Sequence, residues 1–209
     1  MGYWVKEIFT TLQGEGVHSG RVAVFCRFTG CNLWSGRESD RDMAQCRFCD
    51  TDFRGTDGPG GGQFKTAQAL AEAVTARWPG GGAPWVVCTG GEPALQLDTP
   101  LVDALHRKGF EVAVETNGTR PLPAHLDWIC VSPKGGTVLQ VTRGDELKLV
   151  FPQPDVNPAD FTALGFRHFI LQPLDDAQRA DHLRLAIAYC LAHPQWRLGL
   201  QTHKLIGIA

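Results

Sequence analysis

Three cysteines stand in a polar, glycine-punctuated stretch: Cys31 first, then the pair that bounds Cys46-Arg-Phe-Cys49. Two thiolates two residues apart can hold one metal or cluster from a single turn. Cys31, with fourteen residues between it and Cys46, must fold back across the loop to join them. No histidine lies between residues 31 and 49, and His18 is the nearest one upstream. A closed Cys3His zinc site would have to recruit that nitrogen. Three protein ligands with no evident fourth instead leave one coordination position open for reactive chemistry. Both readings stand on the cysteines alone. Cys26, Cys88, Cys130 and Cys190 lie inside apolar segments and read as core.

The elements that must position these thiols alternate along the chain. Residues 22–28 read as a strand of β-branched and aromatic residues, and a polar stretch from 30 to 63 follows. That stretch is too long for a structureless loop in a compact domain, so something must order it. Thr66 can cap a helix running to about Trp78, and Asp98 a second one that Gly109 closes. A third begins near Ala177, carries Leu183, Ala186, Ile187, Cys190 and Leu191 on one stripe, and stops at Pro194. Strands at 85–89, 111–115, 126–131, 146–150, 168–171 and 196–200 complete the pattern. Four exits are polar: Gly90-Gly-Glu-Pro93, Thr116-Asn-Gly118, Ser132-Pro-Lys134 and Gln172-Pro-Leu-Asp175. Such alternation predicts an α/β fold with a parallel sheet, closed or partly closed into a barrel. Ligands in these folds bind at the carboxyl ends of the strands, so the exits form one candidate site.

A chain of 209 residues fits a single domain, here 1–209, with enough length to bury a core without disulfides. A net charge of −2 excludes a strongly basic nucleic-acid binder. No apolar run is long enough to span a membrane, and the N-terminal residues carry no secretory-signal pattern, so the expected compartment is the cytoplasm. There, seven cysteines mean thiols, metal ligands or catalysis rather than a disulfide scaffold.

The three cysteines, the aromatic Phe48 just before the last of them, and Gly90-Gly-Glu-Pro93 after the next main strand resemble the radical S-adenosylmethionine (SAM) superfamily. The fourteen-residue spacing departs from the usual superfamily pattern but is similar to one group within it, the 7-carboxy-7-deazaguanine synthases of queuosine and deazapurine biosynthesis. Ile8-Phe-Thr-Thr-Leu-Gln-Gly-Glu-Gly16, Cys26-Arg-Phe28, Cys49-Asp-Thr-Asp-Phe53, Glu115-Thr-Asn-Gly118 and Gln201-Thr-His203 look like that group along nearly the whole chain.

The resemblance implies a partial (β/α)6-type barrel, with residues 30–63 as an extended cluster-binding loop after the first core strand and 194–209 as a segment capping the substrate. It implies that Cys31, Cys46 and Cys49 hold a [4Fe–4S] cluster whose fourth iron binds SAM, and that one-electron reduction yields an adenosyl radical. Gly91 and Glu92, Ser132, Pro133 and Lys134, and Gln172, Pro173, Leu174 and Asp175 are the implied SAM contacts. Thr51 is the implied Mg²⁺ ligand, with Asp50 either assisting through a water or capping the turn. The implied substrate is 6-carboxy-5,6,7,8-tetrahydropterin, contacted by Leu12, Gln13, Gly14, Glu15, Arg27, Thr89, His203 and the terminal carboxylate of Ala209. The implied activity is that of a lyase that contracts the pterin ring to 7-carboxy-7-deazaguanine and releases ammonia. A flavodoxin- or ferredoxin-like electron donor and a homodimer follow from the same resemblance, with no nucleic-acid or membrane partner.

Two alternatives use the same residues. A radical SAM activase of a glycyl-radical partner would share the cluster and Gly-Gly-Glu features, but gives no reason for the Leu12–Gly16 turn together with Thr51. A zinc-stabilised nucleic-acid module would use the cysteines structurally. Between residues 21 and 54, however, six arginines face five acidic residues, a mixed surface rather than a phosphate-tracking stripe.

Overall fold

A computed structural model describes residues 2–208. The chain runs β1 (Tyr3–Leu12), β2 (Val22–Phe28), β3 (Gly62–Phe64), α1 (Ala67–Thr75), β4 (Trp85–Gly90), α2 (Thr99–Arg107), β5 (Glu111–Thr116) and β6 (Trp128–Val131). It continues through β7 (Arg143–Phe151), β8 (Gly165–Pro173), α3 (Arg179–Ala192), β9 (Trp196–Leu198) and α4 (Thr202–Ile206). All nine strands form one sheet in the order β3-β1-β2-β4-β5-β6-β7-β8-β9. From β2 to β9 every neighbouring pair is parallel, and β1 runs antiparallel to both β2 and β3. Among the described residues no ladder joins β9 back to β3, so the barrel is partial.

The sheet is sided by the two-residue period of its strands. Val24, Cys26 and Phe28 on β2, Val86 and Cys88 on β4, and Val112 and Val114 on β5 pack into the core under α1 and α2. Leu147 and Leu149 on β7 and Leu171 on β8 pack with Ala186 of α3. The intervening residues face the other way. Ala23, Trp85, Val87 and Ala113 form a small apolar floor with Phe25 and Trp128, and more polar side chains continue toward the strand exits.

Local signals hold the crossovers in place. Thr66 caps α1 by accepting from the Ala69 N–H, and Asp98 caps α2 by accepting from Leu101 at 3.1 Å. The same Asp98 oxygen accepts from the Tyr3 hydroxyl at 2.7 Å, fastening β1 to the helix layer. Among the described residues α-helices cross over between β2 and β4, β4 and β5, and β8 and β9; a 3-10 turn at Pro158–Phe161 lies between β7 and β8, and non-helical connections join β5, β6 and β7.

Three sequence expectations change. β1 reads in the sequence as a motif of polar and apolar residues, yet it is a ten-residue strand, because Glu7, Phe9 and Thr11 turn toward the concave face. The stripe expected on α3 is only partly buried: Ala186 is enclosed, while Ile187 and Leu191 are 39% and 80% exposed. Cys190 accordingly lies at the edge of the core rather than inside it.

The long loop after β2 is ordered by its own side chains. Trp34 and Phe53 meet edge to face at 5.7 Å, both buried. The Arg41 guanidinium lies 4.2 Å from the Trp34 ring and donates to the backbone carbonyls of Arg47 at 2.7 Å and Cys49 at 3.0 Å. It thus clamps the turn that carries the CxxC pair. Gln45 and Cys46 both donate their N–H groups to the Leu33 carbonyl, folding that turn back beside Cys31.

Two outcomes follow. Asp98→Ala removes a helix cap and a buried hydroxyl partner together and should lower unfolding free energy by about 1–3 kcal/mol in urea titrations. Arg41→Gln should open the loop locally, raising proteolytic cleavage between residues 35 and 50 of metal-free protein about tenfold while global stability moves by less than about 1 kcal/mol. Arg41→Lys should not restore protection, since an ammonium cannot both stack and fork.

Candidate active site

The strand exits surround a cavity of about 450 Å³. Its lining includes residues from every functional segment expected from the sequence. Leu12, Gln13, Gly14 and Glu15, Arg27, Thr89 and His203 line it, as do Cys31, Cys46, Cys49 and Thr51. So do Gly91, Ser132, Lys134, Gln172, Pro173, Leu174 and Asp175. Glu92 and Pro133 do not reach its surface, and Ala209 lies outside the described residues.

Cys31 and Cys49 pack against Trp34, Ala44 and Phe53, and Cys46 lies beside Cys49 at the same cavity. Cys46 and Cys49 are hydrogen-bonded to each other, which raises the Cys46 thiol and draws Cys49 down to about 6 despite its burial. Burial pushes Cys31 up, against hydrogen bonds from the Leu33 and Trp34 N–H groups. Among the described residues, no three His, Cys, Asp or Glu side chains converge as ligands of a single ion. The sulfurs of Cys31, Cys46 and Cys49 instead line one cavity, the kind of donor set that a cluster held at three corners uses.

Gly91 brings the exit of β4 against the root of the cysteine loop. A side chain there would collide with the Gly30 carbonyl, and the Glu92 N–H donates to that same carbonyl at 2.8 Å. Glu92 itself has no exposed surface. One carboxylate oxygen accepts from the Ala94 N–H at 2.9 Å and the Thr116 hydroxyl at 2.7 Å, and the other accepts from the Asn117 N–H at 2.8 Å. Burial pushes its pKa up, against those three hydrogen bonds. It therefore ties the β4 and β5 exits together behind the cavity wall. Lys134 donates to the backbone and hydroxyl oxygens of Ser132 at 2.8 and 2.7 Å. Burial lowers its pKa, with the Cys46 and Cys49 sulfurs among the groups acting in the opposite direction.

A second polar group occupies the inward face of the sheet. Register places Arg27 beside Thr89, and Glu115, Cys130, Glu146 and His168 in one row across β5 to β8. Arg27 pairs with Glu7 at 2.7 Å. Glu15 accepts from Lys148 at 2.5 Å and from Gln201 at 2.9 Å, and Glu115 from Gln13 at 2.8 Å and Lys148 at 3.3 Å. Burial alone would raise the Glu15 pKa; the Lys148 charge and hydrogen bond, aided by Gln201 and His203, outweigh it and hold the carboxyl at about 2. That value lies below the ordinary one, so the stabilisation is present above about pH 4.5 and is lost as pH falls through about 2.

The C-terminal segment closes one side. His203 packs so near Gly14 that a side chain there would strike its Nδ1 atom, and the Gly14 carbonyl accepts from the Thr202 N–H at 2.8 Å. Lys204 bridges Asp50 of the cysteine loop at 2.5 Å and Asp175 at the β8 exit at 2.7 Å. Asp50 is thus engaged as a salt-bridge partner rather than as a turn cap. Lys148, Lys204 and Glu7 were not singled out by sequence reasoning, and Gln201 only as part of a motif. The available signal for Lys148 was a lone cation inside the otherwise apolar run Leu147–Val150.

Comparison with known proteins agrees with this arrangement. A profile of the Radical SAM superfamily matches residues 43–137. The chain is 63% identical over 209 residues to a 7-carboxy-7-deazaguanine synthase of Bordetella pertussis and 61% identical over 209 residues to one of Caulobacter vibrioides, with full coverage of both partners in each case. The crystal structure of QueE from Escherichia coli superposes with a TM-score of 0.73 at 30% identity, covering 97% of this chain and 95% of that one. Both relatives carry the synthase name rather than that of an activase or a zinc module. A full-length match of this strength, together with a cavity walled by three cysteines, makes the chain a member of the 7-carboxy-7-deazaguanine synthase family of radical SAM enzymes.

Proposed function

We propose that the enzyme converts 6-carboxy-5,6,7,8-tetrahydropterin to 7-carboxy-7-deazaguanine with release of ammonia. The observation that carries this reading is the coexistence, in one cavity, of a three-cysteine wall and a carboxyl-rich subsite. The first suits radical initiation, and the second suits the N–H donors of a pterin's guanidine-like edge. The product named for the relatives fits the same chemistry.

Cys31, Cys46 and Cys49 would hold the [4Fe–4S] cluster. With SAM bound, that group supplies a low-potential electron and a carbon-centred radical able to take a hydrogen atom from the pterin. The chain's own residues bind and orient. Lys134, with no carboxylate among its hydrogen-bond partners, offers a cation for the SAM carboxylate, alongside Ser132, the Gly91 backbone and the segment Gln172–Asp175. Glu92 acts at one remove, holding Thr116 and Asn117 in place. Glu15 and Glu115 receive the pterin N–H groups. Arg27, released from or shared with Glu7, meets the substrate carboxylate, and His203 and Thr89 complete the enclosure.

Thr51 is the proposed Mg²⁺ contact. A hydroxyl is a weak sole anchor, so the ion would bind with the substrate carboxylate and waters. A flavodoxin- or ferredoxin-like protein is the proposed electron donor. The proposed homodimer would cover the exposed apolar side chains Ile187 and Leu191 of α3, Leu198 of β9, and Leu205 and Ile206 of α4. A cytoplasmic setting is the proposed compartment; among the described residues no helix is long and apolar enough to cross a membrane.

Reconstituted, reduced protein supplied anaerobically with SAM, Mg²⁺ and the carboxytetrahydropterin should release ammonia and a five-membered-ring product, and a product retaining the six-membered ring would overturn the reading. Thr51→Ala should raise the Mg²⁺ concentration needed for half-maximal rate about tenfold while SAM affinity stays within about twofold. An unchanged Mg²⁺ response would remove Thr51 from the ion's site.

A further inference from the structure

Lys148 is a cation set into the middle of β7, two residues from Glu146 and between two leucines that face the helix layer. Its side chain is 5% exposed and points to the concave face. We propose that Lys148 sets the charge of the substrate subsite, holding Glu15 and Glu115 side by side as acceptors so that a pterin's donor edge binds independently of pH across the neutral range. The proposal rests on the functional reading above and adds to it a positioning residue, one that acts through the two glutamates.

The geometry carries the argument. Glu15 comes from the turn after β1 and Glu115 from the end of β5, and Lys148 contacts one oxygen of each, at 2.5 and 3.3 Å. Each glutamate gives its other oxygen to a neutral amide, Gln201 for Glu15 and Gln13 for Glu115. Gln13 also accepts from the Glu15 N–H at 3.1 Å, closing the set. Two carboxylates against one ammonium leave one net negative charge, the sign that favours a donor-rich edge over a second anion.

The other ionisable groups around Lys148 do not replace it. Glu146 on its own strand is pushed up by burial and accepts from the Val17 N–H at 2.9 Å. Cys130 on β6, 3.6 Å from a Glu146 oxygen, is held protonated by burial. His203 on α4 acts on Glu15 through its charge, and Lys134 is tied to Ser132. Burial opposes the charge of Lys148, but Glu115 and Glu15 outweigh it and keep the ammonium protonated. Without that cation, two partly enclosed carboxylates would face each other with no opposite charge between them, and their repulsion would favour uptake of a proton by the pair.

The test measures binding of 6-carboxypterin, an oxidised pterin with the same donor edge, by fluorescence in the presence of SAM. Wild-type affinity should stay within about twofold from about pH 8.5 to 6.5, whereas Lys148→Met should weaken about tenfold over the same range. Lys148→Arg should restore the flat profile, which a purely structural role would not require. A flat profile in a folded Lys148→Met protein would overturn the proposal. Should that variant fail to fold, Glu15→Gln decides: a pH-independent loss of about tenfold in affinity supports the mechanism, and unchanged affinity sinks it. Failure of the wild-type protein to turn over the carboxytetrahydropterin would refute the functional reading instead, so the two failures are distinguishable.

Discussion

The polar side chains that the strands turn into the cavity depend on strand register. Side chains on a strand alternate between faces, so a slip of one residue would exchange the whole inward set for the outward one. On β7 that exchange would bury Glu146 and Lys148 under α3 and turn Leu147 and Leu149 into the cavity. On β2 it would trade Arg27 for Cys26. The apolar layer beneath the helices specifies the alignment, and the chemistry on the opposite face inherits it. The parallel ladders carry that alignment from β2 to β9, which is why a row such as Glu115, Cys130, Glu146 and His168 can form from four separate strands.

Within that frame the site divides its charges by depth. Glu92 is fully enclosed and satisfied by three donors, and serves as a strut between strand exits. Glu15, Glu115 and Lys148 lie at the cavity surface, where a low dielectric makes each unmatched charge costly and each matched one strong. Cys31 and Cys49 pack against Trp34 and Phe53 of the cysteine loop, on another part of the same cavity wall. The chain thus keeps the groups suited to electron chemistry and those suited to recognising a donor-rich ring on different supports: a loop for the former, the sheet for the latter.

Much of this was readable in the residues. The parallel strands and two of the helix caps follow from the alternation of elements and from cap chemistry, and the structure places them as expected. β1 was missed because its inward face carries glutamate and threonine rather than the apolar alternation that marks a strand. The α3 stripe was over-read because helical spacing shows which residues share a face, not whether a neighbour covers it. Glu92 was expected in the cavity because the resemblance makes it a SAM contact. Its three donors come from the segments just downstream and from the β5 exit, a pairing that only the fold reveals. The partners of Lys148 are likewise 133 and 33 residues away in sequence.

Lys204 gives the C-terminal helix a mechanical meaning. Its ammonium joins the cysteine loop to the β8 exit, and all three charged side chains keep some contact with solvent. Such a pair of bonds is weak enough to break and reform at ordinary temperature and is attenuated by dissolved salt. It ties the C-terminal helix to two other parts of the cavity rim, the cysteine loop and the β8 exit. An attachment of that kind holds the helix far less firmly than the backbone ladders hold the strands.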